Sequence, residues 1–180
     1  TFLIAILLIL TLPHGGPKRS GRDSGDPSSM LDEIWSGWKY ILSKPPIRRV
    51  VLAKAMWASG GGAQVFLLIL IGNEAGFGDV AAGIGILYMA RGFGSGFGPI
   101  ISRRLMSNEH LIPYLLGGVL IVSGAFYMAV AASDWTMVIL AYVFISHAAS
   151  GVNWVLSTTM LQKRSEDEWL GRVFGTDSLG

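Results

Sequence analysis

Four apolar stretches govern what this chain can fold into: Val50 to Gly72, Val80 to Ile101, Leu111 to Ala132 and Trp135 to Thr159. Each supplies the roughly 20 mainly apolar residues that a helix needs to cross the hydrocarbon core of a bilayer. Inside that core no water meets the backbone N–H and C=O groups, so a spanning segment must satisfy them internally. Composition agrees. The chain is 51% hydrophobic and only 14% charged, against about 25% charged for a soluble domain. The expected fold class is all-α, a polytopic transmembrane helical bundle with four complete spans. "TFLIAILLILTL" at residues 1–12 lacks the basic start of a signal peptide and reads as the end of a further span. "GRVFGTDSLG" reads as the start of another, from about residue 172. On this reading the sequence is a fragment whose N-terminal half is missing.

Charge in the connecting segments sets the orientation. Residues 13–49 carry Lys18, Arg19, Arg22, Lys39, Lys44, Arg48 and Arg49, while "NEAGFGD" has no base. Arg103 and Arg104 follow the second span, none lies at Ser133 and Asp134, and Lys163, Arg164 and Arg172 follow the fourth. Basic segments therefore alternate with segments lacking Lys or Arg, as the positive-inside rule requires of consecutive crossings. Loops 13–49, 102–110 and 160–171 are expected in the cytoplasm, with the protein multi-pass in an inner (cytoplasmic) or plasma membrane. The bilayer is the first partner implied. A net charge of +2 gives no reason to expect nucleic acid. With no cysteine there is no disulfide framework and no thiolate metal site.

The long basic segment is itself divided. "HGGPKRSGRDSGDPSS" has the composition of a flexible linker. Ser29 then stands three residues before Asp32, a capping arrangement. Over residues 30–43, Leu31, Ile34, Trp35, Trp38, Ile41 and Leu42 share one face of an amphipathic helix. Such a helix lies in the membrane interface or packs on protein. "KPP" ends it, and residues 50–180 form the transmembrane half.

The second span contains "ARGFGSGFGP". Gly92 and Gly96 are four apart, as are Gly94 and Gly98, the small-xxx-small spacing by which membrane helices approach closely. Pro99 should kink the helix, where neighbouring groups can satisfy the freed carbonyl. The glycines fit no dinucleotide fingerprint. Arg91 lies near mid-span, where a charge costs on the order of 2.5–3.5 kcal/mol. It must face a bundle interior or a water-filled cavity, as a substrate or coupling-ion contact or as half of a buried ion pair. Lys54, about one turn inside its span, can snorkel to the surface. Gln64 follows Gly60, Gly61 and Gly62, a run that either unwinds the helix at a substrate site or allows close packing. His147 suits an interhelical hydrogen bond more readily than a proton relay, and Asn153 is a candidate beside it. Arg91, Gln64, Asn153 and His147 are the candidate cavity-lining residues. The sequence offers no catalytic residue, no metal spacing, no P-loop and no nucleophile elbow, so an enzyme and a bound cofactor are not expected.

The order of segments resembles a known family. "WSGWKYILSKPPIRR" leading into a span, "ARGFGSGFGPIISRR" ending the next, and "LQKRSEDEWLGRVFG" leaving the fourth are similar to the second half of a major facilitator superfamily transporter, in the branch of macrolide-type and siderophore-type exporters. Gly94, Gly98, Arg103 and Arg104 match the glycine-rich helix end and basic turn of that family, without its usual aspartate. Glu168, Gly171, Arg172 and Gly175 match its acidic-x-x-Arg-Gly-Arg pattern, with Leu170 in place of the first arginine. Residues 1–12 would then end the sixth family helix. The resemblance implies an alternating-access exporter of small organic molecules, with protons as a candidate coupling ion. Cytoplasmic gating would fall to Arg103, Arg104, Asp167, Glu168 and Arg172, with Arg103 or Arg104 pairing Asp167 or Glu168. The alternative function is a non-transporting helical membrane module, receptor-like or scaffolding.

Overall fold

The computed structural model describes residues 11, 27–74, 78–106, 108–134 and 136–177. The segment 1–12 (save Thr11), the linker 13–26 and residues 178–180 lie outside them. The chain divides into two compact units, Thr1–Asp32 and Glu33–Gly180. Of the first, only Thr11 and the opening six residues of one helix are described. Among the described residues there are six α-helices and no strand: α1 Pro27–Ser43, α2 Pro45–Glu74, α3 Val80–Leu105, α4 Ile112–Ala131, α5 Thr136–Arg164 and α6 Leu170–Asp177, with a 3₁₀ turn at Glu109–Leu111. This is an all-α membrane helical bundle.

Local chemistry explains most of the boundaries. Helix α1 is described from Pro27, a residue suited to a first turn, which places Ser29 within the helix. Lys44 separates α1 from α2, and its carbonyl accepts hydrogen bonds from the Ile47 and Arg48 amides at 3.0 Å. Pro45 and Pro46 occupy the first turn of α2, where their missing N–H groups would have no helical partner in any case. Helix α2 therefore begins five residues before the apolar stretch does. It then runs unbroken through Gly60, Gly61 and Gly62. The glycines neither unwind it nor pack closely, since a Cβ built on any of them meets nothing within 4 Å.

Helix α5 is the centre of the bundle. It packs most extensively on α3, then on α4, and also touches α2, which packs in turn on α3. Half of its most apolar stretch is buried, against 11% for α2 and 17% for α4, which is why the polar residues of α5 are the ones held inside. Helices α2, α4 and α5 are long and apolar enough to cross a membrane. Helix α3 is not in that group, although its stretch reads as a span: Arg91 and six glycines lower its hydropathy. Large apolar side chains such as Met56, Phe66, Phe93, Tyr114, Ile121 and Met137 face outward, as they do on a surface bathed by lipid.

The α3–α5 contact is one of backbone on backbone. A Cβ on Gly98 would stand 2.6 Å from the Gly151 Cα, and one on Gly151 would stand 2.6 Å from the Ser95 carbonyl oxygen. That carbonyl is the one Pro99, lacking an N–H, leaves without its helical donor. Gly94 meets the backbone of Phe144 and Ala148 in the same way. Gly92 and Gly96 meet nothing within 4 Å, so only half of the glycine stripe serves this interface. Gly72 closes α2 onto α3, where a Cβ would come within 2.8 Å of the Ile84 backbone.

Two apolar clusters tie the helices at opposite ends. One gathers Ile41, Val50, Val51, Ile112, Leu116, Leu156, Met160 and Val173. The other gathers Leu68, Leu87, Val130, Ile139 and Val143. Gly98→Val should therefore lower the stability of the detergent-solubilised protein, by about 1–3 kcal/mol or more for an overpacked contact. Gly96→Ala should leave it unchanged or slightly raise it, as the helix gains up to about 1 kcal/mol in propensity. Equal loss of monodisperse protein on heating for both variants would contradict this assignment.

Candidate functional site

Between the two apolar clusters lies a cavity of about 490 Å³, walled by the middle thirds of α2, α3 and α5. Its size is that of a small-molecule site. Helix α2 contributes Trp57, Gly61, Gly62 and Gln64, α3 contributes Arg91, Ser95 and Pro99, and α5 contributes His147, Ser150, Gly151 and Trp154. The close glycine contact is what brings α3 and α5 near enough for Ser95 and Ser150 to share one wall.

Three of the four expected cavity residues are brought together here: Arg91, Gln64 and His147. Asn153 is not. It is 1% exposed and does not line the cavity, and neither its amide oxygen nor its amide nitrogen has a hydrogen-bond partner among the described residues. It sits two residues beyond Gly151, on the turn of α5 that is pressed into the bundle, where the sequence could not tell one face from another. His147 Nε2 is 2.7 Å from the Tyr127 hydroxyl on α4, the interhelical hydrogen bond expected of it. Ser123 and Ser146 join the same two helices, with their hydroxyl oxygens 3.0 Å apart and the Ser146 hydroxyl donating to the Ser123 carbonyl at 2.9 Å.

Arg91 lies over the Tyr88 ring, 5.5 Å from its centroid, one helical turn away. Among the described residues no carboxylate pairs with it. Trp57 and Trp154 stand with their ring centroids 6.1 Å apart and their planes at 57°, forming a corner of the cavity. The Trp57 indole nitrogen is buried without an acceptor among the described residues. Sequence reasoning missed Trp57, Ser95 and Ser150, whose residue types carry no signal until α2, α3 and α5 are placed side by side.

Lys54 departs from its expected role. It does not snorkel outward; it is buried and forms an ion pair with Asp177 of α6. Its ammonium also lies 4.3 Å from the centroid of the Trp154 ring, a cation–π contact at the edge of the cavity. The signal was present in the sequence, because Lys54 and Asp177 are opposite charges within apolar helical segments. Nothing in their spacing said that α2 and α6 meet.

The basic end of the bundle brings Glu168 and Arg172 together with residues that the sequence did not single out. Lys44 Nζ is 3.1 Å from Glu166 Oε1, and this bond holds the lysine pKa above its ordinary value. The Glu166 amide donates to the Tyr40 hydroxyl at 3.2 Å. Tyr40 stacks on Trp169 with ring centroids 4.7 Å apart, and the Arg172 guanidinium lies over the same indole at 4.8 Å. Glu168 accepts a hydrogen bond from the Trp169 indole at 2.9 Å. Helix α1 also presses Gly37 against Arg172 and Thr176 of α6. It thus buries Gly37, Tyr40 and Ile41 and leaves Ile34, Trp35, Trp38 and Leu42 exposed, dividing a face that the periodicity presented as one. Arg103 and Arg104 end α3, and Asp167 lies in the turn after α5, all three exposed.

Comparison with known proteins gives one result. A family model described as Major Facilitator Superfamily matches residues 1–179. No curated protein and no solved structure matches the chain.

The buried pair yields a clear expectation. Lys54→Met alone strands the Asp177 charge and should destabilise the protein by about 3–5 kcal/mol, whereas Lys54→Met with Asp177→Leu should restore most of that stability. Thermal unfolding of the purified single and double variants measures both. A double variant no more stable than the single would show that the two residues do not act as a pair.

Proposed function

This chain belongs to the Major Facilitator Superfamily, a family of membrane transporters, and from that premise we propose that it is the C-terminal half of a secondary exporter of small organic molecules, similar to the macrolide-type and siderophore-type branch. The observation that carries the reading is the cavity around Arg91, placed midway between two apolar clusters. Discontinuity of α2 is not needed to open it. The bare backbone at Gly61 and Gly62 and the close approach of α3 to α5 leave the space. Substrate binds against Arg91, Gln64 and His147, and access alternates as this half rocks against a second six-helix half about the midplane. A non-transporting membrane module would have no use for an arginine that faces a cavity with no acid beside it among the described residues, since a mid-span charge is costly unless it meets water, a ligand or a counter-charge.

In this reading the basic end of the bundle, with residues 13–49, 102–110 and 160–171, is cytoplasmic. The protein resides in an inner or plasma membrane. The contacts of Lys44 with Glu166 and of Tyr40 with Trp169 fasten α1 to the α5–α6 turn. Arg103 or Arg104 pairs with Asp167 or Glu168 in one state of the cycle and releases it in the other, as a rocking interface must. Protons are the candidate coupling ion. No carboxylate lines the cavity among the described residues, and a proton-carrying acid in the other half is part of this proposal.

Arg91→Ala should abolish substrate flux in proteoliposomes while membrane insertion stays intact. This chain has no cysteine, so with any cysteine of the other half replaced Arg91→Cys gives a single label site, and a water-soluble thiol reagent should modify it in intact membranes. A properly inserted Arg91→Cys protein that resists the reagent would favour the non-transporting module. For the gate, Arg103→Glu and Glu168→Arg should each lower flux, and the combined reversal should recover it. If it does not, and Arg104 and Asp167 behave alike, the pairing is wrong.

A further inference from the structure

We infer that the molecule carried in the Arg91 cavity is an organic anion with a planar aromatic body. This rests on the reading of that cavity as the transport site. Arg91 is the one residue with a full charge in the cavity lining among the described residues. Asp177, whose carboxylate is buried, is engaged by Lys54. This wall of the cavity is therefore positive, and in a low-dielectric surrounding such a charge selects strongly for its opposite.

The remaining polar groups point the same way. A carboxylate, sulfonate or phosphate offers acceptor atoms to the Arg91 guanidinium, which can hold two oxygens at once, and to the Ser95 and Ser150 hydroxyls of the same lining. A cationic substrate would meet Arg91 as a like charge.

The apolar surfaces describe the rest of the molecule. Trp57 and Trp154 meet at 57° with centroids 6.1 Å apart, so they wall a corner and do not fill it by stacking on each other. Trp154 is half exposed. Gly61 and Gly62 expose flat backbone beside them. A rigid aromatic body fits such a corner by edge and face contacts with the indoles and loses little conformational entropy on binding. A flexible polar chain would leave the indoles unmatched. The Lys54 ammonium, 4.3 Å from the Trp154 ring, fixes that indole in place while its own charge is neutralised by Asp177.

The test uses the full-length transporter in proteoliposomes and three probes: 2-naphthalenesulfonate, 2-naphthylmethylammonium and cyclohexanesulfonate. The first two share a ring system and differ in charge, and the first and third share a charge and differ in aromaticity. The naphthalenesulfonate should be carried at least about tenfold faster than either of the others, where tenfold corresponds to about 1.4 kcal/mol. Arg91→Gln should remove that preference by a similar factor, and Arg91→Lys, which keeps the charge, should retain part of it even if the glutamine variant folds poorly. Faster flux of the ammonium probe, or a preference untouched by Arg91→Gln in monodisperse protein, overturns the anion assignment and leaves the transporter reading intact. Equal flux of the two sulfonates overturns the aromatic requirement. If none of the probes moves, the substrate inference falls, while thiol labelling of the Arg91→Cys variant decides the transport reading separately.

Discussion

The approach of α3 to α5 through bare backbone is the contact on which the rest of the bundle depends. Between helices in lipid there is no hydrophobic driving force, so association rests on close van der Waals packing and interhelical hydrogen bonds. Gly94 and Gly98 on one helix and Gly151 on the other let the two backbones meet where any side chain would collide. Gly151 also stands at the Ser95 carbonyl, the group that Pro99 deprives of its helical bond. The same residues that permit the approach therefore cover the one polar backbone group that the proline exposes. With α5 held centrally in this way, α2 and α4 pack around it, and the helix midpoints enclose a cavity while the ends close in apolar clusters.

The bundle interior treats its polar groups in two different ways. Ser123 with Ser146, Tyr127 with His147, and Lys54 with Asp177 are each satisfied by a partner on another helix. A buried polar group without a partner costs about 1–3 kcal/mol, so these pairs are what allow such residues inside at all. Two groups of the cavity-lining residues depart from this. Among the described residues Arg91 has a ring for company and no counter-charge, and the Trp57 indole nitrogen has no acceptor. Asn153, Thr158 and Ser165 also bury polar side-chain atoms without a partner among the described residues, away from the cavity, and nothing in the structure accounts for them.

Much of the fold is legible in the chain because the membrane allows so few solutions. Apolar runs of span length, charge alternating between the loops, and small residues four apart identify a helical bundle and its packing motif. Arg91, Gln64 and His147 are legible as cavity residues because polar groups at mid-span have few other places to go. Where sequence and structure part, the cause is shared. Helical periodicity says which residues share a face, but not which neighbour that face meets. Hence periodicity groups Gly92 and Gly96 with Gly94 and Gly98, sets Ile41 beside Trp35, and turns Asn153 toward the cavity. Lys54 reads as snorkelling because its partner is 123 positions away in sequence. At the basic end, the pairing of Lys44 with Glu166 is invisible for the same reason.

By itself the sequence determined that this chain must be helical and lie in a membrane, because a run of about 20 apolar residues has no other way to satisfy its backbone in hydrocarbon. It also determined that a charge at position 91 needs a destination. Only the tertiary structure decided what each polar residue meets: that Lys54 is answered by Asp177, His147 by Tyr127, and Arg91 by no acid among the described residues. These outcomes turn on which faces of which helices touch, and that is set by contacts between segments distant in the chain, to which local periodicity is blind.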